Sequence, residues 1–121
     1  MSKRIMVIDD DPDILEILNI IFEQEGFEVT LSETGEEAEN ILEINPDLVL
    51  MDIKIAGSGK NGADLCYKIK SSPDTLDFSV VLFSSEDNID EISKQCRANG
   101  YIKKPLDIDY FLVKVREFLA A

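Results

Sequence analysis

Three short apolar runs constrain this chain more than any other feature. Ile5-Met6-Val7-Ile8, Leu48-Val49-Leu50-Met51 and Val80-Val81-Leu82-Phe83 are each four residues long. Four residues are too few for a helix, and a continuous apolar run marks a strand covered on both faces. Segments of helical length and spacing lie between them. The pattern predicts helices over 13–25, 36–43, 63–70, 89–97 and 108–119, and further strands over 27–31 and 101–103. Gly26 closes the first helix, Thr34 caps the second and Asn45-Pro46 ends it. Five strands alternate strictly with five helices. Such alternation implies parallel strands joined by right-handed crossovers, with helices on both faces of an α/β sheet.

The chain has 121 residues, enough for one core and not for two. We expect a single domain over residues 1–121. Twelve basic against 25 acidic residues give a net charge of −13. So acidic a chain is a poor direct ligand for nucleic acid or an anionic membrane. It contains no His, which excludes His-ligated zinc, a Ser-His-Asp triad and a phosphohistidine on this chain. Cys66 and Cys96 show no C-x-x-C spacing and do not constitute a disulfide framework; a reducing compartment and core positions fit them. No run approaches a membrane span or a signal-peptide core. The expected location is cytoplasmic.

In a parallel sheet the carboxyl ends of the strands face one way, and ligands bind beyond them. The first strand ends in Asp9-Asp10-Asp11, the third in Asp52, the fourth in Ser84-Ser85 and the fifth in Lys103-Lys104-Pro105. Each cluster alone has an ordinary reading as a turn, a helix cap or a strand exit. Four polar clusters in fixed order at four strand ends are a different matter. Carboxylates gathered there repel, and a divalent cation resolves the repulsion. Oxygen-only donors favour Mg2+, with Mn2+ as the alternative, over zinc or copper. A hydroxyl and a lysine opposite the ion complete a clamp for a phosphoryl group.

These motifs, with Pro12-Asp13-Ile14-Leu15 after the acidic triplet, Pro46-Asp47 before the third strand, Ile53 after Asp52 and Gly100-Tyr101-Ile102 before Lys103, resemble the receiver domain of two-component response regulators, of the CheY-like superfamily and single-domain type. The resemblance covers almost the whole chain. It implies a flavodoxin-like (βα)5 doubly wound fold with strand order 2-1-3-4-5. Asp52 is then the phosphoacceptor. Asp9 and Asp10 hold Mg2+, Asp10 more directly, with Asp52 and the backbone carbonyl of Lys54. Ser84 is the switch hydroxyl, Lys104 the phosphate-pairing lysine and Tyr101 the switch aromatic, and the Lys104-Pro105 peptide is cis. The phosphoryl group would come from a sensor histidine kinase or a histidine phosphotransfer protein. Output would be a switched protein-binding surface or relay of the phosphoryl group by a stand-alone monomer or weak dimer, since nothing follows Ala121.

The chain also departs from the family. Ala56 stands where receivers commonly have proline, and Gly62 lies ten residues after Asp52. Ala56-Gly57-Ser58-Gly59-Lys60-Asn61-Gly62 reads as a two-residue insertion. The stretch from Ser84 to Lys104 is about two residues short, near Ala98-Asn99-Gly100. Lys54 and Glu86 should face each other across the cleft mouth and limit access of water. On the first helix, Ile14, Leu15, Leu18, Ile21 and Phe22 form the core arc at about 100° per residue. Ile17 sits at its edge and Ile20 outside it, a docking patch for the kinase or phosphotransfer protein. On the last helix, Ile108, Phe111, Leu112, Val115, Phe118 and Leu119 face the core, and Tyr110 and Val113 face away.

Two alternatives remain. Asp9-x-Asp11 after a strand also resembles haloacid-dehalogenase-type Mg2+-dependent phosphohydrolases, although no Thr or Val stands at the usual place. A receiver-like scaffold that works without phosphorylation is the other. A calcium loop is set aside, because Ile14 and Ile20 occupy the positions that need Gly and Glu.

Overall fold

The computed structural model describes residues 2–55 and 60–120. In chain order these form β1 (Arg4–Ile8), α1 (Pro12–Gln24), β2 (Glu28–Ser32), a 3-10 turn (Glu36–Asn40) running into α2 (Ile41–Ile44), and β3 (Leu48–Met51). There follow β4 (Lys54–Ile55), β5 (Lys60–Asn61), α3 (Gly62–Ser71), β6 (Val80–Ser84), α4 (Ile89–Gln95), β7 (Gly100–Lys103) and α5 (Ile108–Ala120).

Five parallel strands make one sheet, in the order β2-β1-β3-β6-β7. The expected order 2-1-3-4-5 is corrected in its numbering. The two-residue strands β4 and β5 pair antiparallel in a hairpin of their own and take the fourth and fifth places along the chain. Part of the expected insertion, residues 56–59, lies outside the described residues. Its flanks are that hairpin, which sets Lys54 opposite Asn61.

The strands β1 (from Ile5), β3 and β6 are buried on both faces, as their apolar runs require. Met6, Ile8, Val49, Met51, Val80 and Leu82 pack with Ile41, Cys66, Ile69, Ile89 and Cys96 of the α2–α3–α4 layer. Ile5, Val7, Leu48, Leu50, Val81 and Phe83 pack with Leu18, Phe22, Phe111 and Val115 of α1 and α5. The side-chain period of two sends alternate residues to opposite layers, so one strand sews two cores together. The rings of Phe22 and Phe83 lie 5.7 and 5.1 Å from that of Phe111, joining α1, β6 and α5.

Local chemistry sets the helix ends. Asp11 caps α1 by accepting from the Asp13 N–H at 3.0 Å, and Pro12 stands in the first turn. Gly26, at φ 84°, ends α1: its N–H reaches the Glu23 carbonyl, and that of Phe27 reaches Phe22. This is the αL closure that glycine permits.

Two expectations need correction. The second helix is not regular from Glu36 to Glu43; its first five residues are 3-10. Only Ala38 and Ile41 are buried there, so little packing enforces an α-helix on an acidic segment. Ile108 is 48% exposed rather than in the core. It opens α5, and the layer's buried contacts begin one turn later at Phe111.

Candidate functional site

The sheet carries its register one residue past the strands. The Asp52 N–H donates to the Ile8 carbonyl at 2.8 Å, and the Asp9 N–H to Ser32 at 3.0 Å. The Lys104 N–H donates to Ser84 at 2.9 Å. With Ile8 opposite Met51, Asp9 and Asp52 leave adjacent strands side by side. Asp10 follows in the turn to α1. Carboxylate oxygens of Asp9, Asp10 and Asp52 all lie within 4.8 Å of one another. Lys104 crosses from the end of β7: its Nζ is 2.9 Å from Asp9 Oδ2 and 3.7 Å from Asp52 Oδ2.

The two oxygens of Asp52 differ. Oδ1 accepts from the Ile53 N–H at 2.8 Å, which orients the carboxylate. Oδ2 faces Lys104. Asp9 is buried and divided in the same way, with Oδ1 accepting from the Asp11 N–H at 3.0 Å and Oδ2 paired to Lys104. Burial and the neighbouring Asp9 charge push the Asp52 carboxyl up to about 6, against the pull of Lys104 and the Ile53 N–H. Among the described residues, Lys104 pairs with both Asp9 and Asp52 at the edge of the three carboxylates. A small oxygen-seeking divalent cation fits the donor set.

Ser84 is buried at the end of β6, and its Oγ accepts from the Glu86 N–H at 3.3 Å. Lys54 and Glu86 meet as expected, Nζ to Oε1 at 3.0 Å. Lys104-Pro105 is cis. Tyr101 is on β7, opposite Leu82, and 42% exposed. The structure thus brings Asp9, Asp10, Asp52 and Lys104 together. Ile17 and Ile20 stay outside the cup on the exposed side of α1, 41% and 50% exposed.

Sequence reasoning gave Gly62 no role beyond loop spacing. Its N–H donates to the Ile53 carbonyl at 2.6 Å, and a Cβ there would overlap the Asp52 carbonyl oxygen. Only glycine lets α3 begin so close behind the carboxylate. The available signal was its place directly after Asn61, whose Oδ1 caps α3 by accepting from Ala63.

Known proteins agree with this geometry. A family model described as response regulator receiver domain matches residues 5–116. The DNA-binding response regulator MtrA of Mycolicibacterium smegmatis is 33% identical over 118 residues, which are 96% of this chain and 50% of that protein. The chain therefore spans about half the length of this relative. Sporulation initiation phosphotransferase F of Bacillus subtilis is 29% identical, over 98% of this chain and 95% of its own. Among solved structures, the BeF3-activated receiver domain of Klebsiella pneumoniae RstA superposes with a TM-score of 0.86, at 27% identity over 98% of this chain and all of that one. A CheY-like receiver domain protein from Methanospirillum hungatei gives 0.83, at 29% identity over 99% and 95%. No helix among the described residues is long and apolar enough to cross a membrane. The family match displaces the haloacid-dehalogenase alternative. With its carboxylates, hydroxyl and lysine at four parallel strand ends, the chain belongs to the response regulator receiver domain family, the signalling domains of two-component phosphorelay systems.

Proposed function

We propose that residues 1–121 act as one receiver domain that takes a phosphoryl group on Asp52. The observation that carries this reading is the placement of Asp52 Oδ2, turned from the backbone toward Lys104, inside a ring of carboxylates. In the transfer, Asp52 Oδ2 forms the new bond to phosphorus. The P–N bond of a phosphohistidine, or the P–O bond of a small acyl phosphate, breaks, and imidazole or carboxylate leaves. Lys104, already between Asp9 and Asp52, shifts its charge toward a phosphoryl oxygen. Ser84 spends an acceptor lone pair on the Glu86 N–H, so its hydroxyl proton is available for another oxygen. Mg2+, or Mn2+, held by Asp9, Asp10, Asp52 and the Lys54 carbonyl, would supply the countercharge that lets a dianionic donor approach.

Phosphorylation adds charge and acceptor oxygens at the end of β3. Ser84 is drawn toward them, and Tyr101 turns inward from its half-exposed position. This reshapes α4, β7 and α5 as an output surface. The Lys54–Glu86 pair bridges the mouth of the cup and limits entry of the water that hydrolyses the acyl phosphate. Ile17 and Ile20, on the helix that starts at the cup, receive the sensor kinase or phosphotransfer protein. The near full-length likeness to the sporulation phosphotransferase favours a cytoplasmic, stand-alone relay or switch, monomeric or weakly dimeric. The half-length match to MtrA favours a receiver joined to an output domain as the second reading.

Calorimetry and intact-mass measurement test this together. The native chain is expected to bind Mg2+ and, with acetyl phosphate, to gain one phosphoryl group. Asp10→Asn should weaken Mg2+ binding and slow uptake in parallel. Unchanged uptake in Asp10→Asn without Mg2+ would refute the proposal.

A further inference from the structure

The two cysteines of the chain are 30 residues apart and meet in the core, away from the phosphoacceptor cup. Cys66 lies on α3, and Cys96 caps the C-terminal end of α4. Both are free and buried. The Cys66 thiol donates to the Cys96 carbonyl at 3.4 Å. The Cys96 thiol donates to the Ser93 carbonyl at 3.7 Å. The outer edge of the same seam is closed by the Arg97 guanidinium, 5.3 Å from the centre of the Tyr67 ring. Two buried cysteines that meet across two helices, one thiol against the other's carbonyl, are placed to react with each other, not only to fill space.

We propose that Cys66 and Cys96 are a reversible oxidation site, forming an intramolecular disulfide between α3 and the end of α4 when the chain meets a peroxide. Cys96 is the attacking sulfur, because it reaches solvent slightly (4%) while Cys66 does not. The neighbouring Cys66 lowers the Cys96 thiol to about 7, and the neighbouring Cys96, with burial, pushes the Cys66 thiol up. The Cys96 thiolate takes the terminal oxygen of hydrogen peroxide. The O–O bond breaks, Cys96 becomes a sulfenic acid, and the released hydroxide leaves as water with the thiol proton. Cys66 sulfur then attacks the Cys96 sulfur, the S–O bond breaks, and a second water departs with the Cys66 proton. Two thiols and one peroxide give one disulfide and two waters. A dithiol reductant reverses the step by exchange. The bond ties α4, which follows the Ser84 strand end, to α3. Its formation does not depend on the phosphoacceptor.

The native chain is treated with hydrogen peroxide, unfolded in alkylating reagent and digested with trypsin. A linked pair of peptides, residues 61–68 and 95–97, is expected in a chain that stays monomeric, and dithiothreitol should remove the link. In Cys66→Ala, dimedone should label Cys96. In Cys96→Ser, oxidation of Cys66 should slow by at least about tenfold. Asp52→Asn should form the link at the native rate, which separates this proposal from the phosphoacceptor reading. Two alkylatable thiols in the peroxide-treated native chain would overturn the proposal. So would a link found only between chains, or only in urea-unfolded chain.

Discussion

Within β3, Leu48 to Met51 are buried and apolar; one residue later Asp52 is nearly as buried and carries a charge. The two regions share a strand and a hydrogen-bond ladder, and their energetics are opposite. Leu50 contributes to stability because water is removed from it. Asp52 opposes folding when ionised, because burial and Asp9 raise its pKa. The sheet supplies a rigid, well-stabilised platform on which a few charged groups are held in reactive positions.

Substitutions on the two sides of this boundary should therefore act in opposite directions. Leu50→Ala is expected to cost about 3 kcal/mol in urea unfolding, while the folded fraction keeps its Mg2+ affinity. Equal loss of both would erase the distinction. Gly62→Ala should cost about 2 kcal/mol, because the new methyl overlaps the Asp52 carbonyl and the start of α3 must move. Unlike Leu50→Ala, it should also weaken Mg2+ binding, measurable by calorimetry.

Asp52→Asn should stabilise the chain. The folded carboxyl titrates near 6, above its ordinary 3.8, so the unfolded state loses its proton first as pH rises. Stability falls across that window and stays reduced above it. With metal chelated, the substitution should add about 3 kcal/mol at pH 7, and the gain should shrink toward zero as pH falls to about 4. A gain independent of pH would contradict the assignment of the charge to Asp52. The smallest stability effect belongs to the mouth of the cup. Lys54→Ala or Glu86→Ala should change stability by less than about 1 kcal/mol, because Lys54 is exposed. Their readout is kinetic: the phosphoryl group should be lost faster, and an unchanged rate would remove the gate.

The strands and the cup were legible in the sequence because both rest on one-dimensional signals. Apolar tetrapeptides marked β1, β3 and β6, and the residue after each parallel strand must lie at the same edge. Where burial is thin, the pattern said less. The Glu36–Asn40 turn has one buried side chain, Ala38, and its geometry comes from local bonds: Ser32 Oγ accepts from the Gly35 N–H at 2.9 Å and contacts Glu37. Ile108 fits the helical period, yet its exposure depends on where α5 overhangs the layer. The contact of Gly62 with Asp52 and the meeting of Cys66 with Cys96 are facts of tertiary packing: Asn61 marks where α3 begins, and no local pattern says what Gly62 or either cysteine packs against.

The most direct measurement is to locate the phosphoryl group. The chain is incubated with Mg2+ and acetyl phosphate, the acyl phosphate is reduced with borohydride, and the resulting homoserine is placed by tandem mass spectrometry. Homoserine at position 52 alone, absent from Asp52→Asn, is the expected result. Homoserine at position 9, or uptake that persists in Asp52→Asn, would contradict it.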